Sequence, residues 1–383
     1  MASTRRPSHP SRRPVRIALV MIVRNEAKSI ARCLLSARSA VDEMIVLDTG
    51  STDATIAIAR DLGAKVFEWA WRDDFAAARN EALSHSTADW QLVLDADEWL
   101  IGDGQMLRQV AQREHLSGGG FLGFLQVKSL IDAQRGAVLT APSAASDATA
   151  DRPLLTLDDK VPGSEIYFSW LPRFFPRGIK YFGRIHEQPR SELPIKFHRI
   201  AVEIGHDGYL WAKLVEKKGR NRSLLLAALR DDPENPYLHY QLGKEYDIYG
   251  DFSEAISSYE KALHLVQPEH IYRIDMVVRT LVCLKNVGLL ELAYKFAEDE
   301  MPYCQKSPDF FFVMARIMLA LAVHQPHRAR GEWLPMARIS LLFALKIGDA
   351  PEIEGSVSGR GSSMAASDLA KIDLMLARQN EAA

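Results

Sequence analysis

Over its first hundred residues the chain alternates short apolar runs with amphipathic stretches, and beyond Asn235 it changes to helical spacing throughout. Residues 16–23 are almost wholly apolar and stop abruptly at Arg24-Asn25-Glu26, as a strand covered on both faces does. Residues 27–40 place Ile30, Leu34 and Leu35 at helical spacing, and residues 44–48 return to a short strand. The pattern then predicts a helix from Ser51 to Arg60, a strand over 65–69, an alanine-rich helix over 75–84 and a strand over 90–94. Strand, helix, strand in succession is the parallel unit, so an α/β, Rossmann-like sheet is expected. Asp48 and Asp95 then stand at carboxyl ends of strands, the edge where open parallel sheets bind ligands. Residues 121–128 and 199–204 read as further strands.

The chemistry concentrates in Asp95-Ala96-Asp97-Glu98, directly after the fourth strand. In an extended segment residues i and i+2 share a face, so Asp95 and Asp97 could grip one divalent cation, with coordination positions left for substrate phosphates. Mg²⁺ or Mn²⁺ suits such oxygen ligands, and a nucleotide diphosphate is the first substrate to consider. The competing reading is a turn or a helix cap.

Four ordered motifs carry a resemblance: Val23-Arg24-Asn25-Glu26, Asp48-Thr49-Gly50-Ser51-Thr52-Asp53, Ala78-Arg79-Asn80 and Leu94-Asp95-Ala96-Asp97-Glu98. Together they resemble the family 2 glycosyltransferases, over roughly the first half of the chain, and order plus spacing is more specific than any one motif. The resemblance implies a GT-A nucleotide-sugar fold and an inverting hexosyl transfer. It puts Glu26 near the nucleoside, Asp48 on the base, Arg79 on the diphosphate or base, and Asp95 near ribose and metal, with Asp97 a direct metal ligand. The donor implied is a nucleotide-diphosphate sugar, a UDP-sugar first among them. Asp53 fits a helix cap better than a nucleotide contact.

Downstream, Trp170-Leu171-Pro172-Arg173-Phe174-Phe175 and Tyr181-Phe182-Gly183-Arg184-Ile185-His186-Glu187 resemble the Arg-x-Phe and Ile-His-Glu signatures of one branch of these enzymes. An inverting transferase needs a base opposite the leaving group. Glu187 is the candidate, expected in an apolar, half-buried pocket; His186 could serve instead or bind metal, or the two form a structural hydrogen-bond node. Gly205-His206-Asp207-Gly208-Tyr209 resembles the late histidine motif of the same branch. His206 is thus a third metal candidate, which as an imidazole would favour Mn²⁺, or else a plain hydrogen-bonding residue.

From Asn235 the residues Tyr240, Leu242-Gly243, Tyr246, Gly250, Ala255, Tyr259 and Ala262 resemble one tetratricopeptide repeat, and Val287-Gly288-Leu289 with Ala293 and Ala297 a degraded second. One repeat cannot bury its own face, so a helical array is expected. It either holds a peptide or protein acceptor, braces the catalytic domain, or supports a homo-oligomer. Repeat-bearing members resemble glycocin-type S-glycosyltransferases and lipopolysaccharide sugar transferases, which leaves a peptide, protein or glycan acceptor open.

The domains expected are a disordered basic tail over 1–15, a GT-A domain over 16–215 and an α-helical domain over 216–383. Residues 130–163, rich in Ala, Ser, Thr and Asp, read as a mobile flap or a tolerated insertion. Lys217, Lys218, Arg220 and Arg222 read as a solvated helix face or, second to that, part of a phosphate-facing wall. The 383 residues suit two domains, and a formal charge of -2 gives no argument for nucleic acid. Cys33, Cys283 and Cys304 are too few and scattered for disulfides or zinc, and no apolar run is long enough for a membrane span; a cytoplasmic enzyme is expected. Two rival readings remain: an inactive transferase-like repeat scaffold, and a sugar nucleotidyltransferase. The latter needs a glycine-rich phosphate loop that Val23-Arg24-Asn25-Glu26 does not supply.

Overall fold

The computed structural model describes residues 13–117, 119–132, 164–208 and 219–381. The expected tail up to residue 12, residues 133–163 of the expected flap, and Lys217 and Lys218 lie outside the described residues.

β1 (Ile17–Val23), β2 (Glu43–Asp48), β3 (Lys65–Glu68) and β4 (Trp90–Val93) pair in parallel, β1 lying between β2 and β4. The apolar run of β1 is covered on both faces: Leu19 and Met21 enter one core cluster, Ala18 and Val20 the other. This is why its sequence shows no alternation. α1 (Ile30–Ala37), α2 (Thr55–Asp61) and α3 (Phe75–Ser84) connect these strands.

β5 (Glu98–Ile101), α4 (Gln105–Ser117), β6 (Phe121–Asp132), β7 (Ser164–Pro176) and β10 (Lys196–His206) extend the sheet to eight strands in the order β3-β2-β1-β4-β7-β6-β10-β5. β7 runs antiparallel to β4, and β5 antiparallel to β10. The parallel half is thereby continued by antiparallel strands, the mixed Rossmann-like sheet expected of a GT-A domain. β8 (Lys180–Phe182) and β9 (Gln188–Arg190) form a separate hairpin.

Two departures from the sequence reading bear on the site. β4 ends at Val93 and β5 starts at Glu98, so Asp95 and Asp97 occupy a tight turn between two strands rather than an extended strand end. The helix expected from Ser51 begins at Thr55, because Ser51, Thr52 and Asp53 are engaged in loop hydrogen bonds.

The chain divides into two compact units, and the described residues up to Lys128 with those from Trp170 to Gly208 form the first. The second takes residues 129–132 and 164–169 together with the helical region. Its helices include Pro236–Ile248, Phe252–Leu265, Arg273–Asn286, Leu290–Cys304, Pro308–His324 and Leu334–Ile347. Tyr240, Ala255, Tyr259 and Ala262, the repeat-like positions, are buried together, and Gly243 leaves room for the Tyr259 ring. Ala293 and Ala297 of the degraded repeat are buried as well. Inside this unit Asp275 accepts hydrogen bonds from Tyr167, Tyr240 and Arg279. Among the described residues no single helix is long and apolar enough to cross a membrane.

Candidate active site

The carboxyl ends of β1 and β2 are stapled together. Asn25, at φ 54°, accepts a hydrogen bond from Thr52 N at 2.8 Å and donates its own N–H to Ser51 Oγ at 2.8 Å. Glu26 N donates to Thr55 Oγ1, and Ala27 N to Asp53 Oδ2. Asp53 also accepts from Thr55 N, so it braces the start of α2 from one residue ahead of the N-cap, Ala54, rather than capping it. Glu26 is half-buried in this loop.

Asp48, the last residue of β2, is buried; its Oδ1 accepts from Gly50 N at 2.9 Å and Ser51 N at 2.8 Å. Gly50 supplies φ +109°, which few other residues adopt. Asp48 Oδ2 is buried without a hydrogen-bond partner. An orphaned buried acceptor costs free energy, roughly 1–3 kcal/mol, and is free to take a further donor.

α3 carries Arg79 and Asn80, and Asp74 caps it by accepting from Ala77 N. Asn80 holds the backbone of Tyr181 in both directions, Nδ2 to the carbonyl at 2.9 Å and Oδ1 from the amide at 2.8 Å. Phe75 N reaches Arg184 O. These bonds fix the β8–β9 hairpin, where Gly183 and His186 both take positive φ and Glu187 turns inward.

Arg79 donates from Nε to Glu187 Oε1 at 2.5 Å and from Nη2 to Asp95 Oδ1 at 2.7 Å. Arg173 on β7 reaches Asp95 Oδ2 at 2.9 Å and Glu98 Oε1 at 2.5 Å. Glu98 Oε2 in turn accepts from Asp95 N. Burial opposes ionisation of Asp95, yet Arg79 and Arg173 outweigh it and hold the carboxyl well below the usual range. Burial pushes Glu98 upward, and it pushes the neighbouring Tyr181 hydroxyl up to about 12. Burial also works against the charge on Arg79, but Asp95 and Glu187 reverse that and raise it well above normal.

Three expectations change here. Both Asp95 oxygens accept from guanidinium groups, so this carboxylate is not presented free to a cation as expected. Glu187 sits against Arg79 rather than in an apolar pocket. The Arg79 side chain, 8 % exposed, is enclosed by carboxylates and lies beneath the Tyr181 ring rather than on an open phosphate-facing surface.

The remaining candidates meet elsewhere in the same unit. His206 ends β10, in register opposite Glu98, and its Nε2 lies 3.8 Å from Asp97 Oδ2. A Cβ on Gly208 would collide with both atoms, so the glycine keeps a small polar cradle open between them. Among the described residues no cluster of three or more His, Cys, Asp or Glu side chains is gathered for a metal. One carboxylate and one imidazole flanking an open cradle nevertheless fit a divalent cation that takes its other ligands from water and phosphate. His186 is half-buried, and its carbonyl accepts from Gln188 Nε2.

Comparison with known proteins bears on the N-terminal half of the chain. Residues 18–124 match the model for glycosyl transferase family 2. A TPR repeat-containing protein of Synechococcus elongatus is 31% identical over 291 residues, 72% of this chain and 64% of that protein. The prophage-derived glycosyltransferase SunS of Bacillus subtilis is 27% identical over 300 residues, 74% of this chain and 63% of its own. The chain thus spans less than two thirds of the length of these curated relatives. A glucosyl-3-phosphoglycerate synthase from Mycobacterium tuberculosis, solved with Mg²⁺ and uridine diphosphate, is 28% identical. That likeness covers 30% of this chain and 43% of that one, with a TM-score of 0.24, too low to carry a structural argument. The four ordered motifs lie within the matched residues 18–124, so this stretch of the N-terminal unit is similar to the family 2 glycosyltransferases.

Proposed function

We propose that the protein is a metal-dependent inverting glycosyltransferase that moves a sugar from a nucleotide diphosphate to a peptide, protein or glycan acceptor. The observation that carries this reading is the approach of Asp97 Oδ2 to His206 Nε2 across the space kept by Gly208. Mn²⁺ or Mg²⁺ held by Asp97 and His206 would neutralise charge on the departing diphosphate. Asp48 Oδ2 offers the acceptor for an imide or amine proton of the base, which supports a UDP-sugar donor, and the stapled Glu26 loop lies beside it. Glu187 takes the proton of the acceptor hydroxyl or thiol, with Arg79 setting its position; His186, next in sequence, is the alternative base.

The helical unit supports an acceptor that is itself a polypeptide, because stacked repeats present extended surfaces. The buried, unpaired Cys33, Cys283 and Cys304 support work in a reducing compartment such as the cytoplasm. The test is release of nucleoside diphosphate from a panel of nucleotide sugars, with and without Mn²⁺. Metal-stimulated release from one donor is expected. Absence of both binding and turnover for every donor would leave the inactive scaffold as the better reading.

A further inference from the structure

Arg32 lies on α1 and belongs to none of the motifs that suggested the site. Its Nη2 donates to Asp207 Oδ2 at 2.7 Å, joining residues 175 positions apart. Its guanidinium lies 3.8 Å from the centre of a Trp99 ring. Trp99 is in register opposite Gly205, whose missing side chain leaves room for the indole. The loop 205–208 is therefore gripped on both sides of His206, at Gly205 through Trp99 and at Asp207 through Arg32. The ion pair is largely withdrawn from water, with the two side chains 18% and 16% exposed, so salt screens it little. Arg32 also keeps its Nε buried without an acceptor.

We infer that Arg32 is a positioning residue for the cation: through Asp207 and Trp99 it holds His206 at the distance from Asp97 at which the two can share a metal. The inference deepens the metal reading and rests on it. A ligand whose supporting contacts are removed loses its preset orientation, and such losses weaken metal binding about 10–100-fold. Lysine would keep the charge for Asp207 but lose the guanidinium contact over Trp99.

The experiment is calorimetric titration of the full chain with Mn²⁺, without nucleotide, alongside thermal unfolding. Arg32→Ala and Asp207→Asn should each weaken Mn²⁺ binding about ten-fold or more while the fold persists. Arg32→Lys should recover part of the loss. The double variant Arg32→Ala/Asp207→Asn should be no weaker than the worse single one, because both changes cut the same link. A folded Arg32→Ala protein binding Mn²⁺ within about two-fold of wild type would overturn the inference alone, as would losses that multiply in the double variant. Should Arg32→Ala not fold, Arg32→Lys and Asp207→Asn decide by the same criteria. Wild-type protein that takes up no Mn²⁺ would sink this inference and the metal reading together.

Discussion

Arg79 and Glu187, 108 residues apart in sequence, are joined by a 2.5 Å hydrogen bond, and the same guanidinium holds Asp95 from its other side. One arginine thus sets both the candidate base and the carboxylate of the turn after β4. Its removal would take the guanidinium from the buried Glu187 carboxylate and leave Asp95 to Arg173 alone.

Arg79→Ala is therefore expected to destabilise the protein by about 3–5 kcal/mol, the usual result of deleting one partner of a buried ion pair. Chemical denaturation measures it. A loss below about 1 kcal/mol would mean that Asp95 and Glu187 find other partners or water.

Glu187→Gln keeps an oxygen that can accept from Arg79 but cannot take a proton. Donor binding and folding should persist while kcat drops about 10²–10⁴-fold. Steady-state kinetics on the active donor would show this. An unchanged kcat would pass the base role to His186.

Gly208→Ala places a methyl group between Asp97 and His206. Mn²⁺ affinity should fall at least about ten-fold. Circular dichroism should stay at the wild-type value, since Gly208 lies past the end of β10. Retention of full Mn²⁺ affinity would move the cation away from this cradle.

Asp309, in the helical unit, is pushed up by burial to about 6 from 3.8 even though Arg360 lies 3.0 Å away. The folded state holds this proton more tightly than the unfolded chain. Its contribution to stability is complete below the unfolded value and is lost as pH rises through about 6. The loss amounts to about 3 kcal/mol, since each pH unit between the folded and unfolded values is worth roughly 1.4 kcal/mol. The difference in unfolding free energy between wild type and Asp309→Asn, followed from below the unfolded value up to well above about 6, should fall by that amount. A constant difference would refute it.

The parallel half of the sheet was legible because its apolar runs are long and its helices regular; β1, β2 and α3 fall close to the predicted spans. The approach of Asp97 to His206 was also within reach, since each belongs to a motif. The turn that separates Asp95 from Asp97 was not, because period-2 reasoning assumes an extended backbone and a four-residue link between β4 and β5 breaks it. Arg173 was visible as part of a motif but without a role, and Glu98 and Arg32 carried none. Their partners are set by which strands become neighbours. Nothing in the local sequence of α1 points to Asp207, and nothing in that of β7 points to Glu98. Asn80 gave no hint that it clamps a hairpin a hundred residues on.

The bonds from Asn25, Glu26 and Ala27 to Ser51, Thr52, Asp53 and Thr55 reach beyond local geometry. Surface loops ordinarily tolerate added residues. Here one extra residue in either segment would shift every later partner out of reach at once. Length should therefore be the tightly held property of these two segments across descendants of this chain, with side-chain identity freer to drift wherever a hydroxyl or amide can be exchanged for another.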